Sequence, residues 1–487
     1  MWVKAIVLSL YAIMIVAVGI RGFRGTKNFN DFFLGGGQVG PWMTAFSYGT
    51  AYFSAVLFIG FAGNIGWNFG YSGLWVAVFN ALVGVLLVWY LVGPRVKQAA
   101  MDLKVHTLPG YLAARYNSPM LKLLASVVIF VFMVPYSAAV FMGLSYLFTA
   151  NFDISFGHAL LFMGFFSALY IVLGGYKSMA LIDMLFGMIM AMSVTLLLFS
   201  TVRIGGGIPQ ITFNLSDIDP GLTRVVGPPG LWPLVSLVVL TSLAPFAMPQ
   251  LMQKFYAIRD KSTIRKGMWA STAFAVLIGG VAYFIGATSR VFIHPGNAPA
   301  AFGSEGQPLY DILMPELLTN VIPAGLSVVI LLLILSASMS TLASLVLVSS
   351  STLAKDFLQG FVFPRLSDQR LTLAMRLASG LFVFTSVLLA WQSHDSIVAI
   401  LGISWGAMGS FFLGPFLYGL FTKRAGLAAA LVSGTGGLAV CLALYFGGIP
   451  SPQAGTIGML VSLALPPLVM MASKGSRAAA PSDEHNK

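Results

Sequence analysis

Along residues 2–473 the chain alternates between long apolar stretches and short polar loops. Runs of 18 or more apolar residues recur, each long enough to cross ~30 Å of hydrocarbon as a helix. Thirteen segments can be drawn, at 2–20, 41–67, 73–94, 120–149, 155–174, 178–202, 231–253, 267–289, 321–351, 372–392, 395–421, 425–446 and 455–473. The strict apolar/polar alternation of a membrane strand is absent, which excludes a β-barrel. The pattern predicts an all-α polytopic membrane protein with 13 transmembrane helices.

Two segments do not read as plain helices. The second contains "AFSYGTAYFSAVLFIG", in which Gly49 sits among hydroxyls, and the seventh contains "TSLAPFAMPQLMQKF", with Pro245 and Pro249 four residues apart. Proline removes a backbone donor and clashes with the preceding turn, so a break is expected near 244–249. The two segments are five apart in order. Interrupted helices at matching positions of two halves point to a transporter of inverted repeats with its site at the midplane. Glycine and proline are also common in ordinary membrane helices, which is the plainer reading.

Composition agrees with the pattern. Hydrophobic residues make up 58% of the 487 and charged residues 9%, against about 25% charged in a soluble domain. The net charge of +12 would suit an acidic partner if the basic residues formed a patch, but they do not. With the N-terminus outside, all of the Lys and Arg fall in inner loops except Lys4, Arg203, Arg224 and Arg290. The charge is therefore topological, and nucleic acid is not an expected partner. The first stretch is a retained span and not a signal peptide, because its basic residues follow the apolar run. The tail from 474, "KGSRAAAPSDEHNK", reads as polar and disordered. "LYDILMPELL" (309–318) reads as a short helix at the outer surface.

Candidate chemistry concentrates in two places. In "SASMSTLASLVLVSSS" (336–351), Ala337, Ser340, Thr341 and Ser344 share one helical face. Hydroxyl oxygens are hard neutral ligands, and two or three of them with carbonyls freed at a facing break can hold a sodium ion. Such carbonyls could come from residues 49–53. The same residues could instead join helices through hydrogen bonds worth about 0.6 kcal/mol each. The trailing hydroxyls, 349–352, are expected at the inner interface. Asp183 is the one acidic residue well inside an apolar segment, where a carboxylate costs about 2.5–3.5 kcal/mol. It suits a second ion or a proton relay, or else sits at a helix start near the inner surface. No nucleophile–base pairing, zinc spacing, P-loop or dinucleotide fingerprint is present. The chain reads as no enzyme, with no cofactor, and uphill transport would draw on an ion gradient.

These residues resemble the sodium:solute symporter family over most of the chain. "TKNFNDFFLGGGQVGPW", "TLPGYLAARY", "GGYKSMALID", "PQLMQKF" and "SASMSTLAS" look like five family motifs in order. The resemblance implies a leucine-transporter-type fold with a 5+5 inverted repeat, about 41–202 and 231–421. It would form a single domain over 1–473. It implies Na+ as coupling ion, with hydroxyl ligands from Ser340 and Thr341 and carbonyls from Ala337, Thr50 and Phe53. A second sodium in some members would map onto Asp183, Ser340, position 343 and Ser344. Here 343 is Ala and Ile182 replaces the usual Thr. Similarity to proline carriers marks Ser54 and Tyr136 as cavity residues, with Thr241 and Pro245 where such carriers place aromatics. "TAYFSAVLFIGFAG" is closer to the monocarboxylate and pantothenate branch. The expectation is a multi-pass plasma-membrane symporter importing a small carboxylate or amino acid by alternating access, its C-terminus cytoplasmic. It would need only solute, Na+ and lipid, without an obligatory protein partner. A proton-coupled carrier using Asp183 and a transporter-like sensor with a separate output partner are the alternatives.

Overall fold

The computed structural model describes residues 2–25, 33–152, 154–173, 176–321, 323–392 and 395–478. The first seven residues of the motif that begins at 26, the glycines 174 and 175, and the tail after 478 lie outside them. Among the described residues regular structure is helical, and strand-type pairing is confined to isolated bridges, Val39 with Ile258 and Phe302 with Pro308.

In chain order, α1 is Trp2–Gly25, α2 Pro41–Tyr52, α3 Ala62–Phe69, α4 Leu74–Phe79, α5 Gly93–Leu103, α6 Leu108–Tyr116 and α7 Pro119–Phe152. Then follow α8 (Phe156–Leu173), α9 (Tyr176–Ile204), α10 (Ile208–Ile218), α11 (Leu231–Leu243), α12 (Pro249–Ala257) and α13 (Lys261–Phe292). The last six are α14 (Tyr310–Glu316), α15 (Ser327–Ser351), α16 (Asp368–Gln392), α17 (Ile397–Phe421), α18 (Leu427–Phe446) and α19 (Ser451–Ala478). Among the described residues ten helices are long and apolar enough to cross a membrane, with shorter apolar helices at Ile6–Ile20 and Phe156–Ala168. One of the ten is the 48-residue run Val56–Leu103, which joins two of the expected segments. The α-helix breaks within it into a tight turn at Gly70 (φ 55°), where a Cβ would fall 2.3 Å from the carbonyl oxygen of Leu222. Only glycine fits that turn.

Starts of helices follow local chemistry. Thr107 accepts from Gly110 N at α6, Asp260 from Thr263 N at α13 and Ser396 from Ala399 N at α17, each satisfying a backbone donor that the helix leaves free. Asp260 also accepts from Ser262 and Arg259, and these bonds hold its carboxyl well below the usual carboxylate range.

Burial sorts the helices by position. From Leu333 to Ser351 every residue of α15 is buried, and α17 is nearly as enclosed. By contrast α16, α18 and α19 expose apolar residues such as Leu377, Phe384, Phe446 and Leu468, the surface a bilayer would cover. Around α15 pack α2, α7, α9 and α16. A second close crossing joins α3 to α13, with Gly66 against Gly286.

Several expectations are refined by the structure. The second segment is interrupted at Phe53 and Ser54, at the far end of the stretch 49–53. Gly49 lies inside α2, where a Cβ would come 2.4 Å from the Phe274 ring; it is small because a ring packs on it. The hydroxyls at 349–352 are buried among protein side chains, and the helix continues past them as a π-helical stretch through Thr352–Val362. Ser349, for instance, donates to the Met133 sulfur. Finally, α14 exists but does not simply lie on the surface: Leu313, Met314 and Pro315 are buried, and Asp311 accepts from Ile397 N. That bond caps α17. The last helix also runs five residues into the tail, to Ala478.

Candidate functional site

The break after α2 and the hydroxyl face of α15 meet. Thr341 Oγ1 donates to the carbonyl oxygen of Thr50 (2.9 Å), within reach also of that of Ala337 (3.0 Å). Ser340 Oγ donates to Thr50 Oγ1 at 2.7 Å. Phe53 closes α2 with extended backbone (ψ 100°), so its carbonyl leaves the helix axis where the next helical bond would form. Hydroxyls and carbonyls from two helices thus converge at one buried point, and all five predicted residues, Thr50, Phe53, Ala337, Ser340 and Thr341, are at most 2% exposed. This oxygen set fits sodium, a hard cation that takes several neutral oxygens.

Beside it is a charged cluster. Asp183, on α9, is wholly buried and accepts from Ser47 on α2; the Ser340 hydroxyl is a close neighbour of the same carboxyl. Lys254 Nζ stands 4.0 Å from Asp183 Oδ2, both side chains 0% exposed. The ammonium donates to Ser344 Oγ (3.0 Å) and lies 5.0 Å from the centre of the Tyr176 ring. Assigning Lys254 to an inner loop with the other basic residues is therefore a misplacement. Because Pro249 restarts the seventh span as α12 (Pro249–Ala257), all nine of its residues are buried, and the lysine turns inward. Nothing in the local pattern "PQLMQKF" reveals this, since a lysine after two glutamines looks like the end of a span. Asp183 and Ser344 do come together as predicted, but through a third residue.

On the other side of the break lies a cavity of about 30 Å³, walled by Tyr52, Phe53, Ser54, Val56, Leu57, Phe61, Asn80, Tyr136, Thr241, Tyr283, Leu401 and Trp405. Ser54, Tyr136 and Thr241 line it as expected. Pro245 does not; it is buried within the 3-10 turn Ala244–Phe246 that ends α11. Tyr52 Oη donates to the Thr241 carbonyl oxygen (2.7 Å), tying the two broken segments together, and Ser242 Oγ donates to Asn80 Oδ1 at 3.1 Å. Trp405 stacks on Tyr52 and meets Tyr136 edge-on, both with ring centres 5.8 Å apart. Tyr52, Asn80, Tyr283 and Trp405 were missed because an aromatic or amide inside an apolar span carries no mark of which neighbour it faces.

The profile of the sodium:solute symporter family matches residues 32–437. The chain belongs to the sodium:solute symporter family. It is 26% identical over 447 residues to sodium/proline symporter 2 of Staphylococcus saprophyticus, covering 89% of this chain and 84% of that one. It is 25% identical over 449 residues to a sodium/proline symporter of Staphylococcus aureus, with the same two shares. In structure it matches a Na+-coupled sialic acid symporter, solved substrate-bound and outward-open, with a TM-score of 0.81 over 99% of each chain at 18% identity. The fold is thus shared with that transporter across the whole length. This sodium:solute symporter is a polytopic membrane transporter and not an enzyme, and Na+ is its coupling ion.

Proposed function

We propose that this symporter imports a small amino acid or carboxylate on the sodium gradient by alternating access. The observation that carries the reading is the junction at Phe53. Phe53 ends the helix whose Thr50 oxygens meet Ser340 and Thr341, and it also lines the aromatic cavity. A cation bound there would sit against the solute and couple the two occupancies directly.

The cavity supports a small solute. At about 30 Å³ it is far below the ~300 Å³ of an ordinary ligand pocket, so entry requires its walls to part. Its lining carries no charged side chain, so a carboxylate would be balanced by the sodium ion and by helix ends. The curated relatives are sodium/proline symporters, which makes proline the first solute to try. Ser54, Tyr136 and Thr241 would then contact it, with Pro245 shaping the turn behind Thr241.

The same reading places one transporter domain over 1–473 in the plasma membrane, with thirteen spans, repeats at about 41–202 and 231–421, an outer N-terminus and a cytoplasmic tail. Lys and Arg placement supports that orientation. Proteoliposome uptake over a panel of proline, monocarboxylates, pantothenate and sugars tests it. One solute should accumulate only with an inward sodium gradient. Uptake driven by a pH gradient in sodium-free buffer would transfer the coupling role to a proton.

Ser340→Ala and Thr341→Ala should each raise the sodium concentration for half-maximal uptake about tenfold, equivalent to ~1.4 kcal/mol of ion binding. Expression should stay near wild type, because each change removes one oxygen and leaves the helix packing in place. Unchanged sodium dependence in both would remove these hydroxyls from the site.

A further inference from the structure

Beyond the sodium ion of the proposed site, the geometry points to a second cation position that the protein fills with its own side chain: we infer that the Lys254 ammonium occupies it, and that this symporter therefore binds one sodium ion per chain. The inference rests on the sodium-coupled reading above.

Four observations carry it. Asp183, Ser344, Ser340 and Ser47 gather around one buried point beside the proposed sodium site. Their chemistry, a carboxylate with several hydroxyls, is that of a monovalent-cation site. The Ser344 oxygen already accepts from Lys254 at 3.0 Å, so a lone pair that a free ion would need is directed at the ammonium. Residue 343, the neighbour of Ser344 in the chain, is Ala343 and supplies no hydroxyl. Charge gives the same answer. The cluster holds one carboxylate and one ammonium 4.0 Å apart with both side chains fully buried, and a sodium ion added to it would leave an uncompensated buried positive charge.

The residue type matters as well. The buried cation in "PQLMQKF" is Lys254, not an arginine. A guanidinium is a planar fork that spreads its charge, while a lysine ammonium is a compact point charge on a flexible stem. Lysine can thus place a full charge at an ion-sized position. The Tyr176 ring, 5.0 Å away, adds a face that favours a cation.

The test is the amount of ²²Na+ bound at saturation to purified protein, together with the steepness of sodium-dependent thermal stabilisation. Wild-type protein should bind one sodium with a Hill slope of one. Lys254→Gln should bind two with a steeper slope, because the carboxylate is then free to hold an ion. Ala343→Ser restores the absent hydroxyl without touching the charge pair and should still bind one. If that variant binds two, the lost hydroxyl and not the lysine excludes the ion, and the inference is wrong. Two ions on the wild type, or one on folded Lys254→Gln, overturns it equally. No sodium on the wild type would instead bring down the sodium-coupled reading itself. If Lys254→Gln does not fold, the wild-type count and the Ala343→Ser count still decide.

Discussion

Asp183→Ala should destabilise the protein by about 3–5 kcal/mol, the usual cost of removing one partner from a buried ion pair. The loss arises because Lys254 would keep its charge at a position with 0% exposure and retain only the Ser344 hydroxyl and the Tyr176 ring as neighbours. Ser47, which donates to Asp183, would lose its acceptor as well. The double variant Asp183→Leu/Lys254→Met should recover most of that stability, since replacing both partners with apolar groups of similar volume is often neutral. Thermal unfolding of the purified variants in detergent measures both. If the double variant is as unstable as the single, the two side chains contribute independently and do not form a pair.

The second large effect is steric. Where α3 crosses α13, a Cβ on Gly66 would fall 2.0 Å from the carbonyl carbon of Gly286, and a Cβ on Gly286 would fall 2.2 Å from the carbonyl oxygen of Ala62. These obstacles are backbone, which no rotamer change can move. Gly66→Val must therefore push the helices apart, at a cost of roughly 1–3 kcal/mol or more. The damage should extend to transport, because Phe61 just before α3 and Tyr283 on α13 both line the cavity. Gly280→Val, on the partner helix α13, is the matched control, with nothing within 4 Å of its Cβ position. Size-exclusion chromatography of the two variants should show loss of monodisperse protein for the first and a wild-type profile for the second. Equal behaviour would mean that the crossing is looser than the structure has it.

Both effects depend on contacts between residues far apart in the chain, and this divides what could be read early from what could not. The membrane class, the positions of the apolar segments and the break in the seventh follow from the sequence. A run of apolar residues long enough to cross hydrocarbon has one stable form there, a helix. Pro245 and Pro249 cannot both continue one. Ser340 and Thr341 were legible too, as hydroxyls on one face of an otherwise hydrocarbon helix, and the family resemblance turned that face into a ligand set.

Only the tertiary structure decided the rest. Gly49 stands out in the sequence as a glycine among hydroxyls, but whether a glycine bends a helix or admits a neighbour depends on what packs there, and here that is the Phe274 ring. Lys254 was read as a loop residue because a lysine at the end of a span ordinarily reaches water. Its direction is set by the restart of the helix at Pro249 and by Asp183, 71 positions earlier in the chain, on another helix. The aromatic wall of Tyr52, Tyr283 and Trp405 was hidden for a related reason. In a soluble protein, polarity separates the inner face of a helix from the outer; in a membrane both faces are apolar, so the periodic signal that would point a side chain inward is lost.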